Sequence, residues 1–328
     1  MGIKNLNRFL QTSCDKSIQK IHISSLSGKK IVIDTSIYLY RFMGDGCLLE
    51  NFYLMISIFR EHNIIPLFVF DGKPPKEKDE LLKQRKTEKK DAEKKYNLLQ
   101  DKLDHAEDYD IDKSEIKENM DALKKQFIRI HHSDIENVKT LIKAYGVSYI
   151  DAIGEADKLC AKMVCKNKAY ACLSEDMDLF VYGCNRVMRY LSLLKKSAVL
   201  YDMKGILSEL KLSLDEFKSI CIVSGTDYNI DNSNANLYQS LKYFKKYKKH
   251  TKNIKDKEGH ENNNFYEWLD IHTDYVNNIY ELYTINDMFN LKHMEDYKNY
   301  ENFKIMNGPI NLSNLKMAMR KEDFIFVK

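Results

Sequence analysis

No apolar run in this chain is long enough to span a bilayer; the longest lies around Ile64 to Phe70. The opening MGIKNLNRFL also lacks the apolar core of a signal peptide, so a soluble protein is expected. Met1-Gly2 does not open a myristoylation signal, because Leu6 stands where that signal needs Ser or Thr. The 7 cysteines are odd in number, contain no CxxC pair and lie mostly among apolar residues. That pattern excludes a disulfide framework and reads as reduced core thiols of an intracellular protein. Neither His131-His132 nor the scattered cysteines have zinc spacing. Charge of one sign is scarce as well: 30% of residues are charged, yet the net charge is +4. Any basic surface must therefore come from segregation of charge along the chain.

What the chain does have is acids at the ends of apolar stretches. In IVID, LFVFDG, VSYIDAIGEAD and AYACLSEDMD, short β-branched or aromatic runs end in a turn signal. They read as buried parallel strands whose carboxyl ends carry Asp34, Asp71, Glu155, Asp157, Asp176 and Asp178, with Asp227 in a later glycine-containing turn. Open α/β sheets place their sites at those ends. Several carboxylates there, two sets of them doubled at i, i+2, repel one another unless cations neutralise them. The simplest reading is a hydrolytic metal centre.

A length of 328 residues allows one large domain or two smaller ones. KKIVID is read as a strand and TSIYLYRF as a helix, with Thr35 or Ser36 helping to cap it. NFYLMISIFREH is an amphipathic helix and IIPLFVF the next strand, which makes a βαβ unit. The stretch after FDGKPP has no Gly or Pro as far as Gln126 and few apolar residues, the composition of long exposed helices. Its charge is sorted. Lys73 to Lys95 holds 10 Lys or Arg against 6 acids, and Asp101 to Asp121 holds 9 acids against 3 Lys. A solvated helical pair with i, i+4 ion pairs would show the same composition, but the basic part starts directly after a strand-end carboxylate. IHHSDIENVKTLIKAYG reads as a helix stopped at Gly146, VSYIDA as a strand, and GEADKLCAKMVCKN as a helix with acids in its first turn. AYACLS and RVMRYL are strands joined through a loop, SEDMDLFVYG, and LSLDEFKSICIVSGTDYN is a helix that delivers Asp227. Composition shifts to Asn, Lys and Tyr near residue 230, leaving a helical appendage around Trp268.

MGIKNL, IVIDTS, FVFDGKPP, the GEAD pair, SEDMDLFVYG and CIVSGTDYN occur in that order over roughly residues 1 to 230. Together they resemble the flap endonuclease and XPG-like (Rad2) 5′ nuclease family, in the manner of a divergent viral member. The resemblance implies an α/β fold: a central, mainly parallel twisted sheet flanked by helices (a PIN-like 5′ nuclease core), with a helical arch and cap insertion and a helical C-terminal appendage. The nuclease core is then residues 1–230, including the gateway, arch and cap at 73–133, and residues 231–328 form a helical DNA-binding region. Asp34, Asp71, Glu155 and Asp157 are implied ligands of one Mg²⁺, and Asp176, Asp178 and Asp227 of a second, with Mn²⁺ able to substitute. Asp157 stands where the family usually has Glu, and its shorter arm leaves direct coordination open. Lys78 and Arg85 match the basic pair of the arch, with Lys78, Arg85 and Asp178 as the implied catalytic residues. Seven residues apart, Lys78 and Arg85 share one helix face and can point at one phosphate. Tyr40 matches a tyrosine that stacks on a nucleobase, although a core tyrosine has the same helical spacing. Gly2 is implied to lie close to the substrate.

The pattern weakens after Asp227. The family grips duplex DNA and a potassium ion with a Gly-x-Gly hairpin, whereas this chain has no glycine between Gly225 and Gly259, so a K⁺ site is doubtful. Lys242, Lys245 and Lys246, with Lys248 and Lys249, could bind duplex phosphates electrostatically instead. The tail AMRKEDFIFVK lacks the glutamine-led motif that binds a sliding clamp. The expected activity is metal-dependent hydrolysis of DNA phosphodiesters at single-strand to duplex junctions, as a 5′ flap endonuclease or 5′-3′ exonuclease in replication, repair or recombination. The expected partner is branched or nicked DNA with a 5′ end, with no membrane and a monomeric protein. The expected location is the nucleus, or a cytoplasmic replication compartment if the chain is viral. One alternative is a DNA-junction-binding factor with weak or lost catalysis. A haloacid-dehalogenase-like phosphatase needs Asp-x-Asp after its first strand, and Asp34 is followed by Thr35 and Ser36.

Overall fold

The computed structural model describes residues 3–104, 113–229, 236–255 and 264–320, so Gly2 and most of the AMRKEDFIFVK tail lie outside the described residues. Seven strands, β1 (Ile18–His22), β2 (Lys30–Asp34), β3 (Ile65–Phe70), β4 (Ser148–Asp151), β5 (Ala171–Leu173), β6 (Arg186–Ser192) and β7 (Ser197–Asp202), form one sheet. Its order is β1-β7-β6-β5-β2-β3-β4. From β6 to β4 all neighbours are parallel, and β7 runs antiparallel to both β6 and β1. The mainly parallel sheet read from the apolar runs is the one observed.

Alternation along the central strands feeds two cores. Val32, Leu67 and Val69 face one apolar cluster, while Ile31, Ile33, Phe68 and Phe70 face the other. This two-sided burial is what a parallel sheet covered by helices on both faces requires. The helices Leu48–Glu61 and His132–Ala144 cover the second face through residues such as Phe52, Phe59, Val138 and Leu141. The helices Ala156–Cys165 and Leu214–Val223 cover the first face through Leu159, Cys160, Phe217 and Cys221. Six of the 7 cysteines are buried or half-buried, as apolar neighbours in sequence suggested, and all are free thiols.

Two local readings are corrected. Neither Thr35 nor Ser36 caps the helix Thr35–Gly44; Asp34 holds the cap position without capping, and the Thr35 hydroxyl donates to the Ile33 carbonyl at 3.4 Å. The stretch SEDMDLFVYG is not all loop, since Asp178–Val181 forms a helical turn. Gly146 does end its helix in the left-handed region, at φ 67°.

Beyond residue 230 the described elements are helical, with Leu237–Lys255, Phe265–His272, Ile279–Met288 and Leu312–Met319 as the main ones. Trp268, Leu269, Phe289 and Ile305 belong to the same apolar cluster as Leu159 and Phe217. Polar ties reinforce this: Lys218 donates to the Phe289 carbonyl at 3.3 Å, and Arg60 to the Gly308 carbonyl at 2.9 Å. Among the described residues no helix is long and apolar enough to cross a membrane.

Candidate metal and nucleic-acid site

Strand order sets the place of the site. The chain leaves β2 toward β3 on one side and later returns to β5 on the other, so the crevice beyond the carboxyl ends of β2 and β5 is a topological switch point. Asp34 ends β2, Asp71 follows β3, and the Ser174–Asp178 segment follows β5. Glu155 and Asp157 come from the N-terminus of the helix Ala156–Cys165, whose first free N–H, that of Ala156, donates to Asp71 Oδ1 at 2.7 Å. Asp227 arrives after the helix Leu214–Val223.

Asp34, Asp71, Glu155, Asp157, Asp176 and Asp227 line one open cavity of about 730 Å³ together with Tyr40, Lys78, Arg85, Lys86 and Lys89. Asp178 is fully buried beside it, and neither of its carboxylate oxygens has a hydrogen-bond partner among the described residues. Burial pushes the Asp34 carboxyl up to about 8, with Asp71 adding repulsion that a hydrogen bond from Ser174 Oγ (2.8 Å) partly offsets. Asp157 is raised by burial and by Glu155, and Asp178 by burial and then by Asp176 and Asp227. Burial is the main cause at all three, and the like charges around them add repulsion that positive charge would relieve.

Two protein cations supply part of it. Lys78 Nζ meets Glu155 Oε1 at 2.5 Å, and Arg85 Nη2 meets Asp227 Oδ2 at 2.9 Å. Burial alone would lower the Lys78 ammonium, but Asp157 and Glu155 outweigh it and hold its pKa above the usual lysine value. Among the described residues no three acid, imidazole or thiol groups converge on one point at ligand distance. The donor chemistry nonetheless fits hard divalent cations: carboxylate oxygens only, an open water-accessible face, and in Asp178 a buried carboxylate with both oxygens unpartnered.

The basic helix expected after FDGKPP is the 26-residue helix Asp79–Asp104, entered through the short turn Lys76–Lys78. Lys78 closes that turn and Arg85 lies on the helix, so the two do not share one α-helical face as the spacing suggested, yet both line the same cavity. Tyr40 is 45% exposed on the cavity wall, which excludes the core-tyrosine reading, and Lys89 Nζ sits 4.7 Å from its ring centre. The reading of the sequence did not single out Lys89. It also passed over Tyr228, whose hydroxyl donates to Glu155 Oε2 at 2.9 Å and whose ring lies 4.9 Å from Lys78 Nζ. Tyr228 stands in the SGTDY motif already singled out, so its position was visible although its partner was not. Ser174, beside EDMD, is a third such residue.

Lys242, Lys245 and Lys246 do not line the acidic cavity. They occupy one face of the helix Leu237–Lys255, where Lys242 and Lys245 are exposed and Lys246 borders a separate cleft of about 520 Å³ with Trp268 and His272. Lys248, grouped with them in the sequence reading, is paired to Glu216 at 2.5 Å.

With this geometry in place, comparison with known proteins gives a consistent result. The XPG N-terminal domain matches residues 1–92 and the XPG I-region matches residues 146–227, together about half of the chain. The chain is 32% identical over 247 residues to flap endonuclease 1 of Nematostella vectensis, a match covering 70% of this chain and 62% of that protein. It is 29% identical over 282 residues to the probable RAD2-like endonuclease 369L of Invertebrate iridescent virus 6, covering 70% and 67% respectively. Aligned chain thus amounts to about 62% of the length of the flap endonuclease relative. In three dimensions, the catalytic core of Rad2 in complex with DNA substrate superposes with a TM-score of 0.66 at 18% identity, over 96% of this chain and 94% of that one. The α/β fold is therefore that of the Rad2 catalytic core, and the chain belongs to the XPG family, to which its two signature regions contribute the walls of a single carboxylate-lined cavity.

Proposed function

We propose that this protein is a Mg²⁺-dependent, structure-selective 5′ nuclease that hydrolyses DNA phosphodiesters near a junction of single strand and duplex. The observation that carries the reading is the convergence of six acids with Lys78, Arg85 and an exposed aromatic ring on one cavity, with Asp178 buried directly beside it. Asp34, Asp71, Glu155 and Asp157 would hold one ion and Asp176, Asp178 and Asp227 the other. Two divalent ions held there would supply a water activated for attack and neutralise charge on the scissile phosphate.

The chain's own residues do the rest. Lys78 and Arg85, paired to Glu155 and Asp227, would exchange those partners for phosphate oxygens when a phosphate enters the cavity. Arg85 offers a planar fork and Lys78 a compact point charge, so together they orient and stabilise a phosphate. Tyr40 offers a face to an unstacked base whatever its identity, which suits selection by structure instead of sequence. Away from the cavity, Lys242, Lys245 and Lys246 would hold duplex phosphates, and residues 231–328 would act as the DNA-binding region beside a nuclease core of residues 1–230. A monomer working on branched or nicked DNA, in a nucleus or a viral replication compartment, is the setting this reading supports. Retention of all seven acids argues against a junction-binding factor that has lost catalysis.

The test is incubation with a labelled 5′ flap and with nicked duplex, in Mg²⁺ and in EDTA. Cleavage of at least one substrate in Mg²⁺ only is expected. Absence of any metal-dependent cut by the unaltered protein would falsify the enzymatic reading.

A further inference from the structure

Behind the acidic loop lies a polar cluster that the proposed chemistry does not use. Arg189 of β6 is buried, and its guanidinium is spent on two segments distant in sequence. Nη2 donates to the Glu175 carbonyl at 3.0 Å, Nε lies 3.4 Å from Glu175 Oε2, and Nη1 donates to Asn7 Oδ1 on the helix Leu6–Ser13. The same Asn7 oxygen accepts from the Tyr201 hydroxyl at 2.9 Å, and Asn7 Nδ2 donates to the Tyr190 hydroxyl at 2.7 Å. Glu175 Oε1 in turn accepts the backbone N–H of Tyr190 at 2.6 Å. Tyr190 has φ 55°, a left-handed conformation in a non-glycine residue, next to a register shift between Arg189 and Ser192. Such a backbone persists only where its surroundings over-determine it.

Glu175 sits between the two parts of the metal site. On one side Ser174 Oγ donates to Asp34 Oδ2 at 2.8 Å and accepts the Asp176 N–H at 3.1 Å; on the other, Asp176 Oδ1 accepts the Asp178 N–H at 3.0 Å. Repulsion among Asp176, Asp178 and Asp227 tends to splay this loop. A guanidinium that donates to the Glu175 carbonyl, with its charge 3.4 Å from the Glu175 carboxylate, opposes that movement from behind. We infer that Arg189, through Glu175 and Asn7, is a positioning residue that fixes the Ser174–Asp178 loop for metal binding and locks the N-terminal helix Leu6–Ser13 to it. The inference rests on the metal reading above, but it concerns how the ligands are held and not which ligands they are.

The test compares unaltered protein with Arg189→Lys and Glu175→Gln, titrated with Mn²⁺ alone in the absence of DNA and followed by calorimetry or electron paramagnetic resonance. Arg189→Lys keeps charge and loses the fork; Glu175→Gln keeps shape and loses the ion pair. Each is expected to weaken Mn²⁺ binding about 10- to 100-fold, the range found when groups behind a metal ligand are altered, and to lower kcat on a 5′ flap while KM changes little. Asn7→Ala should act in the same direction, less strongly. Isotherms that superpose on that of the unaltered protein, with only the thermal midpoint lowered, would make the cluster a general brace and overturn the inference. If Arg189→Lys does not fold, Glu175→Gln decides alone. Failure of the unaltered protein to take up Mn²⁺ overturns the metal reading itself, and this inference with it.

Discussion

At Gly72 the segment leaving β3 passes so close to the loop after β4 that a Cβ would lie 2.0 Å from the Ala152 carbonyl oxygen and 2.4 Å from that of Ile153. The approach is held by the Gly72 N–H on the Gly154 carbonyl at 2.8 Å and the Lys73 N–H on the Ile153 carbonyl at 3.1 Å. One glycine thus lets the Asp71 segment meet the Glu155 segment. Gly72→Ala is expected to cost about 1–3 kcal/mol, as overpacking against backbone does, and to shift both acids; denaturant unfolding together with cleavage rates would register the two effects. Lys78→Ala and Arg85→Ala should lower kcat on a 5′ flap on the order of 100-fold with a modest change in KM, since these groups act on charge that develops during attack. Uniform loss of affinity at unchanged kcat would demote them to surface contacts. The FDGKPP motif made Gly72 and Lys78 conspicuous in the sequence, but only the packing explains why the first must be glycine.

At the level of elements, the βα units were readable because their apolar runs are continuous and end abruptly. β2 and β3 are buried along nearly their whole length and appear as IVID and LFVF. β1 and β7 were not read. β1 is edge-lying and largely exposed, and the turn that pairs β6 with β7 uses Lys196 at φ 43° where a glycine or asparagine would have announced a hairpin. The helix Leu237–Lys255 presents Lys242, Lys245, Lys246 and Lys249 at i, i+3, i+4 and i+7, one face of a helix. Replacing Lys242, Lys245 and Lys246 by Ala should weaken binding to duplex-containing substrates and reduce the salt slope of log K by roughly 2 to 3, about 0.9 for each lost phosphate contact. A fluorescence anisotropy series across salt concentrations measures this; an unchanged slope would remove the helix from the interface.

For the molecule as a whole, the buried acids repel one another, and bound cations would relieve that repulsion. Mn²⁺ or Mg²⁺ that binds the native state alone should stabilise it by about 2.7 kcal/mol at 100 times its dissociation constant, seen as a thermal midpoint higher by several degrees than in EDTA. Asp178 carries a buried carboxylate with no partner. Asp178→Asn should therefore raise the midpoint in EDTA while shrinking the gain from metal, and it should abolish cleavage yet leave DNA binding largely intact. A variant whose metal-induced gain equals that of the unaltered protein would remove Asp178 from the ligand set. Residues on both sides of position 230 share one apolar cluster, so unfolding in this assay should involve the C-terminal helices together with the sheet.

The sequence by itself determined the sheet's parallel centre, the seven acids at or near strand ends and the basic helix beside them, because each is a local pattern of polarity, spacing or turn chemistry. The tertiary structure alone decided that Lys78 and Arg85 rest on Glu155 and Asp227, that Tyr228 and Ser174 hold two of the acids, and that Arg189 reaches Asn7 and Glu175. Those contacts join residues from 14 to 182 positions apart. Apart from Arg189 and Glu175, no short window of sequence contains both partners, and the order of strands in the sheet brings them together.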